Sequence, residues 1–159
     1  MTVTAEQLAD TARRWVEGGW QHGDAEAVYA MYAPDFVDLS AAEGRAATRE
    51  GNIEGIRWLY RAFPDFFATV DDIIVDAEAG KVVVRWSATG THRGEFMGIA
   101  ATGKRVEFRG IEALRVEGGL IVERAGEWDG IGILEQLGVF SSASPAVHLG
   151  ALPNDPNTF

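Results

Sequence analysis

The stretch Arg105–Gly138, RVEFRGIEALRVEGGLIVERAGEWDGIGILEQLG, decides the fold. Alternate residues of a strand share a face, so Val106, Phe108, Gly110, Glu112, Leu114 and Val116 form one side of a strand. Glu117-Gly118-Gly119 is turn chemistry, and Leu120–Trp128 resumes the extended pattern, which makes the pair a hairpin. Asp129 stands where that last strand gives way to a short helix.

Working toward the N-terminus, Lys81–His92 and Val70–Asp76 read as two more strands joined through Glu78-Ala79-Gly80. Upstream of Val70 the period is helical. Thr4 and Gln7 fit a capping box, and Leu8, Ala12, Trp15 and Val16 form one apolar stripe. Asp24 is placed to cap a second helix that ends before Pro34 and buries Val28, Met31 and Tyr32; Phe36 to Leu39 reads as a first strand. A third helix over roughly Arg49 to Phe63 presents Ile53, Ile56, Leu59, Tyr60 and Phe63 on one face and stops at Pro64. Helices followed by an antiparallel meander are the α+β pattern, a curved sheet wrapped against N-terminal helices.

At 159 residues the chain is read as one domain, residues 1–140, followed by a flexible tail, residues 141–159, with Ser-Ser-Ala-Ser, three prolines and no periodicity. A formal net charge of -10 argues against nucleic acid and against an anionic membrane surface as partners. No apolar run approaches a membrane span and the N-terminus lacks a signal-peptide pattern, so a cytoplasmic location is the expectation. There is no cysteine, which excludes disulfides and thiolate chemistry; the three histidines are scattered, and no zinc spacing, phosphate loop or Gly-x-Ser-x-Gly elbow is present. No metal is expected.

The polar groups that stand out inside this apolar framework are Glu112, Asp129 and His92. Taking alternation at face value, Ile121, Glu123, Ala125, Glu127 and Asp129 share a face of the last strand. A curved sheet turning Glu112, Asp129 and His92 into one hollow would suit proton transfer, because burial raises a carboxyl pKa toward neutrality. Trp15, Phe36, Leu59, Phe63, Trp86, Leu114, Ala125 and Glu127 are the candidates to line that hollow. Each has a plainer reading. Asp129 could cap the last helix, Glu112 could pair with Arg109 or Arg124, and Glu127 and His92 could be solvated. Trp15, Trp86 and the Phe63, Phe66, Phe67 cluster could be core, and His22 and His148 surface residues.

Gly90-Thr91-His92-Arg93-Gly94-Glu95-Phe96-Met97-Gly98, Thr102-Gly103-Lys104, Gly118 to Glu123, Trp128-Asp129, Gln136-Leu137-Gly138 and the Phe63-Pro64-Asp65 turn together resemble the SnoaL-like polyketide (ester) cyclases, over about residues 5 to 140. The resemblance implies the cone-shaped α+β fold of nuclear transport factor two and ketosteroid isomerase, with a deep pocket. It implies ring closure without a cofactor, in the founding members an intramolecular aldol condensation. It places the family's general acid/base on Asp129; beside it, Glu112 or His92 would hydrogen-bond the substrate oxygen, which is a reading of the residues and not of the resemblance. Two departures accompany it. No histidine occurs in Glu112-Ala113-Leu114-Arg115, where some relatives carry one near Leu114, and Ala125-Gly126 replaces a bulky aromatic, which should enlarge the hollow. The expected activity is therefore a cyclase of secondary metabolism acting on a small apolar or aromatic substrate. Epoxide opening and a non-catalytic carrier or sensor are the alternatives. Arg85, Ser87, Thr89, Glu107 and Arg109 would make the outer sheet face polar, and a homodimer or higher homo-oligomer through that face is expected.

Overall fold

The first helix, α1 (Ala5–Arg13), begins on the expected capping box: Thr4 Oγ1 accepts the Gln7 N–H at 3.2 Å, and Gln7 Oε1 accepts the Thr4 N–H at 2.9 Å. In this computed structural model, which describes residues 3–141, α1 runs directly into a π-helical segment, Arg14–Gly19. The expected C-terminal tail beyond Ser141, and with it His148, lies outside the described residues. The π segment has a geometric consequence. In an α-helix residues five apart face about 140° away from each other, but the wider turn brings Trp15 and Trp20 to the same side, ring centroids 5.6 Å apart.

Asp24 caps α2 (Ala25–Met31) through the Ala27 N–H at 2.9 Å. Tyr32 then turns extended and opens β1 (Tyr32–Asp38), earlier than the apolar run suggested. Pro34 is tolerated there because β1 is an edge strand that pairs only with β5. Thr48 caps α3 (Arg49–Ala62), which buries Asn52, Ile53, Ile56 and Ala62 and ends before Pro64.

The strands β2 (Phe67–Asp76), β3 (Lys81–Thr91), β4 (Arg105–Glu117) and β5 (Leu120–Trp128) form the expected antiparallel meander. The order is β1-β5-β4-β3-β2, and because β1 lies parallel to β5 the sheet is mixed. A short helix, α4 (Gly130–Leu137), follows and buries Ile133 and Leu137.

One irregularity decides which side chains reach the interior. Val116 pairs with Ile121 but Arg115 pairs with Glu123, so Val122 is an extra residue in β5. Beyond this bulge the inward places fall to Arg124, Gly126 and Trp128, opposite Leu114, Glu112 and Gly110. Simple alternation had put those residues on the other face.

Candidate active site

Between the inner face of the sheet and the helices lies a cavity of about 290 Å³. All five tryptophans of the chain, Trp15, Trp20, Trp58, Trp86 and Trp128, line it, with Leu59, Phe66 and Phe108 adding apolar wall. Against this wall stands one polar group of residues: Asp38, Ser40, Asn52, Glu112 and Arg124.

Glu112 is its centre. It is 3% exposed and lies opposite Gly126, where any Cβ would overlap its carboxylate. The missing side chain is therefore the space the acid occupies. A similar vacancy at Gly110 receives the indole of Trp86, whose Nε1 lies 3.4 Å from Glu112 Oε1. Arg124 Nε donates to Glu112 Oε2 at 2.8 Å, and Nη1 donates to both oxygens of Asp38 at 3.0 and 2.9 Å. Its third nitrogen, Nη2, donates to no acceptor among the described residues. Asp38 also accepts from Asn52 Nδ2 at 2.9 Å and from the N–H and Oγ of Ser40 at 3.1 Å each. Asn52 Oδ1 accepts the Tyr32 hydroxyl at 2.7 Å, and Tyr32 accepts Trp15 Nε1 at 2.8 Å. A relay of hydrogen bonds thus ties the cavity wall to the carboxylates.

Two carboxylates share one guanidinium, in a place where water is largely excluded. Burial pushes the Glu112 carboxyl above its usual range, opposed in part by the charge and hydrogen bond of Arg124. Burial also works against the charge on Arg124, but Glu112 and Asp38 together hold its proton more firmly than usual. Burial likewise raises the Tyr32 hydroxyl, which stays protonated and serves as a donor. The arrangement offers a proton-exchanging acid beside a fixed positive charge with N–H groups to spare. Among the described residues no group of three or more histidine and carboxylate side chains stands close enough to hold a metal ion.

Of the residues expected from sequence, Trp15, Leu59, Trp86 and Glu112 line the cavity, and Glu127 reaches only its exposed rim. Glu112 pairs with Arg124, one of the two partners considered for it, and still faces the cavity.

Asp129 does not meet Glu112. The bulge turns the end of β5 the other way, and Asp129 sits at the outer side, its N–H bonded to Arg109 O. Its carboxylate caps α4 through the Gly132 N–H at 2.8 Å and takes Arg109 Nε and Nη2 at 2.9 and 2.8 Å. These bonds, the Gly132 N–H foremost, hold it below the ordinary aspartate range.

His92 is fully buried behind Phe63 and Phe96 and does not line the cavity. Its Nδ1 accepts the Thr102 N–H at 3.2 Å, so the ring hydrogen is on Nε2, which finds no acceptor among the described residues. With its backbone bonded to Gly103 and Lys104, it ties down the loop before β4.

Phe36, Phe63 and Leu114 are core. Phe36 stacks on Tyr32 and Phe63 packs edge-on to Phe108. Ala125 pairs with Ala113 outside the cavity, so its small side chain does not enlarge it; the neighbouring Gly126 is the residue that matters there.

Asp38 and Asn52 were missed, and Arg124 was foreseen only as an ion-pair partner of Glu112, not as a cavity residue. Asn52 carried a signal, since it lies one helical turn from Ile56 on the apolar stripe of α3. Asp38 alternates with Phe36 along β1, but a strand expected only from Phe36 is too short to fix which face is buried. Arg124 was hidden by the bulge.

No curated protein matches this chain by sequence. Solved structures do. AclR from Streptomyces galilaeus, a proposed hydroxylase, is 27% identical, covering 87% of this chain and 100% of its own, with a TM-score of 0.77. IdmH from Streptomyces antibioticus, a proposed polyketide cyclase, is 35% identical over 84% of this chain and 99% of its own, TM-score 0.71. A proposed polyketide cyclase from Bacillus cereus is 26% identical over 86% of this chain and 84% of its own, TM-score 0.73. Residues 10–137 match the family described as SnoaL-like polyketide cyclase, and with four α-helices and a curved mixed sheet around the tryptophan-walled cavity among the described residues the chain belongs to that family.

Proposed function

We propose that this protein closes a ring in a small, largely apolar polyketide-type substrate by general acid/base catalysis, with Glu112 rather than Asp129 moving the proton. The observation that carries this reading is the setting of Glu112: buried, raised in pKa, facing a cavity walled by tryptophans, beside an Arg124 whose Nη2 is uncommitted. Ionised Glu112 removes a proton alpha to a carbonyl, and the enolate carbon attacks a second carbonyl of the same molecule. The new alkoxide then takes the proton back from Glu112. Atoms and charge balance with no added reagent. Arg124 Nη2 stabilises the enolate and alkoxide oxygens, and Asp38, Asn52 and Ser40 keep the guanidinium in place. The tryptophan wall holds the chain folded for attack.

The test needs no knowledge of the natural substrate. A methyl naphthyl ketone in D2O should lose its alpha C–H signals in proton NMR faster with the protein present, and Glu112→Gln should cut that acceleration by about 10²–10⁴-fold. Exchange retained in Glu112→Gln would sink the assignment. Ketone binding with no exchange in either protein would instead favour a carrier.

A second reading is epoxide opening, favoured by the presence of two buried carboxylates on one guanidinium. Protonated Glu112 would give its proton to the epoxide oxygen as Asp38 accepts one from an attacking hydroxyl or water. Oxygen-18 from labelled water appearing in the product would mark hydrolysis.

A further inference from the structure

Two arginines line the cavity, and they are treated oppositely. Arg124 is held by two carboxylates. Arg45, on the connection between β1 and α3, has no carboxylate within ion-pair distance among the described residues, in a chain with 24 acidic and 14 basic residues. Glu127, the exposed acid at the cavity rim, does not pair with it. The position of Arg45 is nevertheless built. Its guanidinium lies over the Trp58 ring, 5.7 Å from the centroid, and its N–H closes a turn on Ala42 O at 2.9 Å. On α3, Gly55 leaves the room it fills: a Cβ there would come within 2.9 Å of Arg45 Nη1. A cation half-buried against an indole, with its fork unspent, is a site for a planar anion.

We propose that Arg45 binds a carboxylate carried by the substrate, so that the compound turned over here is an amphipathic acid, anchored at one end by Arg45 and reacting at Glu112. The inference rests on the cavity being the substrate site, as argued above. Charge supports the orientation. The Asp38–Arg124–Glu112 group has one more acid than base, so a substrate carboxylate is repelled there and directed to the uncompensated cation. A further donor, the buried Trp20 Nε1–H, has no acceptor among the described residues and suits a neutral oxygen of the same ligand.

The experiment is isothermal titration calorimetry with 2-naphthoic acid and 2-naphthamide, two probes of one shape that differ in charge. Wild type should bind the acid about tenfold more tightly, the amount expected of a partly buried, charge-assisted bond. Arg45→Gln should bring the two probes level, and Arg45→Lys should restore part of the preference. Equal binding in wild type, a preference that survives Arg45→Gln, or no binding of either probe at millimolar concentration would each overturn the proposal. Glu112→Gln separates it from the catalytic reading: that variant should keep or increase the preference for the acid while losing alpha-proton exchange. Either property can fail without the other.

Discussion

A methyl group is the smallest change that tests the site. Gly126→Ala should push the Glu112 carboxylate off Arg124, abolish alpha-proton exchange and destabilise the fold by about 1–3 kcal/mol, the usual range for overpacking. Thermal melting and the NMR exchange assay report the two effects. Glu112 also has a pH signature. Its folded-state pKa is raised, so the folded protein holds a proton that the unfolded chain releases near pH 4.3. Wild-type stability relative to Glu112→Gln should therefore be greatest below about pH 4 and fall as pH rises through the raised value. Melting both proteins from pH 4 to 8 checks the sign. Asp129 has the opposite sign, since its folded pKa is lowered. Its contribution is present above the unfolded aspartate pKa of about 3.9 and is lost as pH falls below it. Asp129→Asn should lower the melting temperature yet leave alpha-proton exchange within a few-fold of wild type; loss of exchange would return the proton to Asp129.

At the scale of elements, the π-helical turn and the β5 bulge set the site, and neither was legible in the sequence. Capping residues, turn glycines and hydrophobic period located α1, α2, α3 and the four-strand meander, because each is a local signal. A bulge is a one-residue mismatch between two strands, visible only once they are paired. Missing it reversed the faces of β5 and turned Asp129, instead of Arg124 and Gly126, into the hollow beside Glu112. The π turn is equally silent, although Gly18 and Gly19 stand at its end. Deleting Gly18 should restore an α-helical path in which Trp20 follows Trp15 by four residues, about 40° around the helix, so that both indoles keep to the wall. The measurement is 2-naphthamide affinity, expected to stay within a few-fold of wild type while the protein remains folded by far-ultraviolet circular dichroism; a loss of binding would show that the π turn itself is required.

For the whole molecule, helices preceding a meander were enough to give the α+β architecture, and the family resemblance supplied the cavity. The parallel pairing of β1 with β5 was not foreseen, since a short edge strand pairs by tertiary proximity rather than by any turn signal. Among the described residues no helix is long and apolar enough to cross a membrane. The outer sheet face carries Arg85, Ser87, Thr89, Glu107 and Arg109 as alternation requires, with Phe67 and Ile111 exposed beside them. We propose pairing of two copies through this face; light scattering should give twice the chain mass, and Phe67→Glu with Ile111→Glu should halve it.

Every indole in the described chain belongs to one wall. The tryptophan emission of the protein, excited beyond the tyrosine absorption band, is therefore an optical readout of the cavity, and an arriving ligand shifts or quenches it without any attached dye. Photo-oxidation has the same address: illumination should destroy ligand binding well before it unfolds the chain.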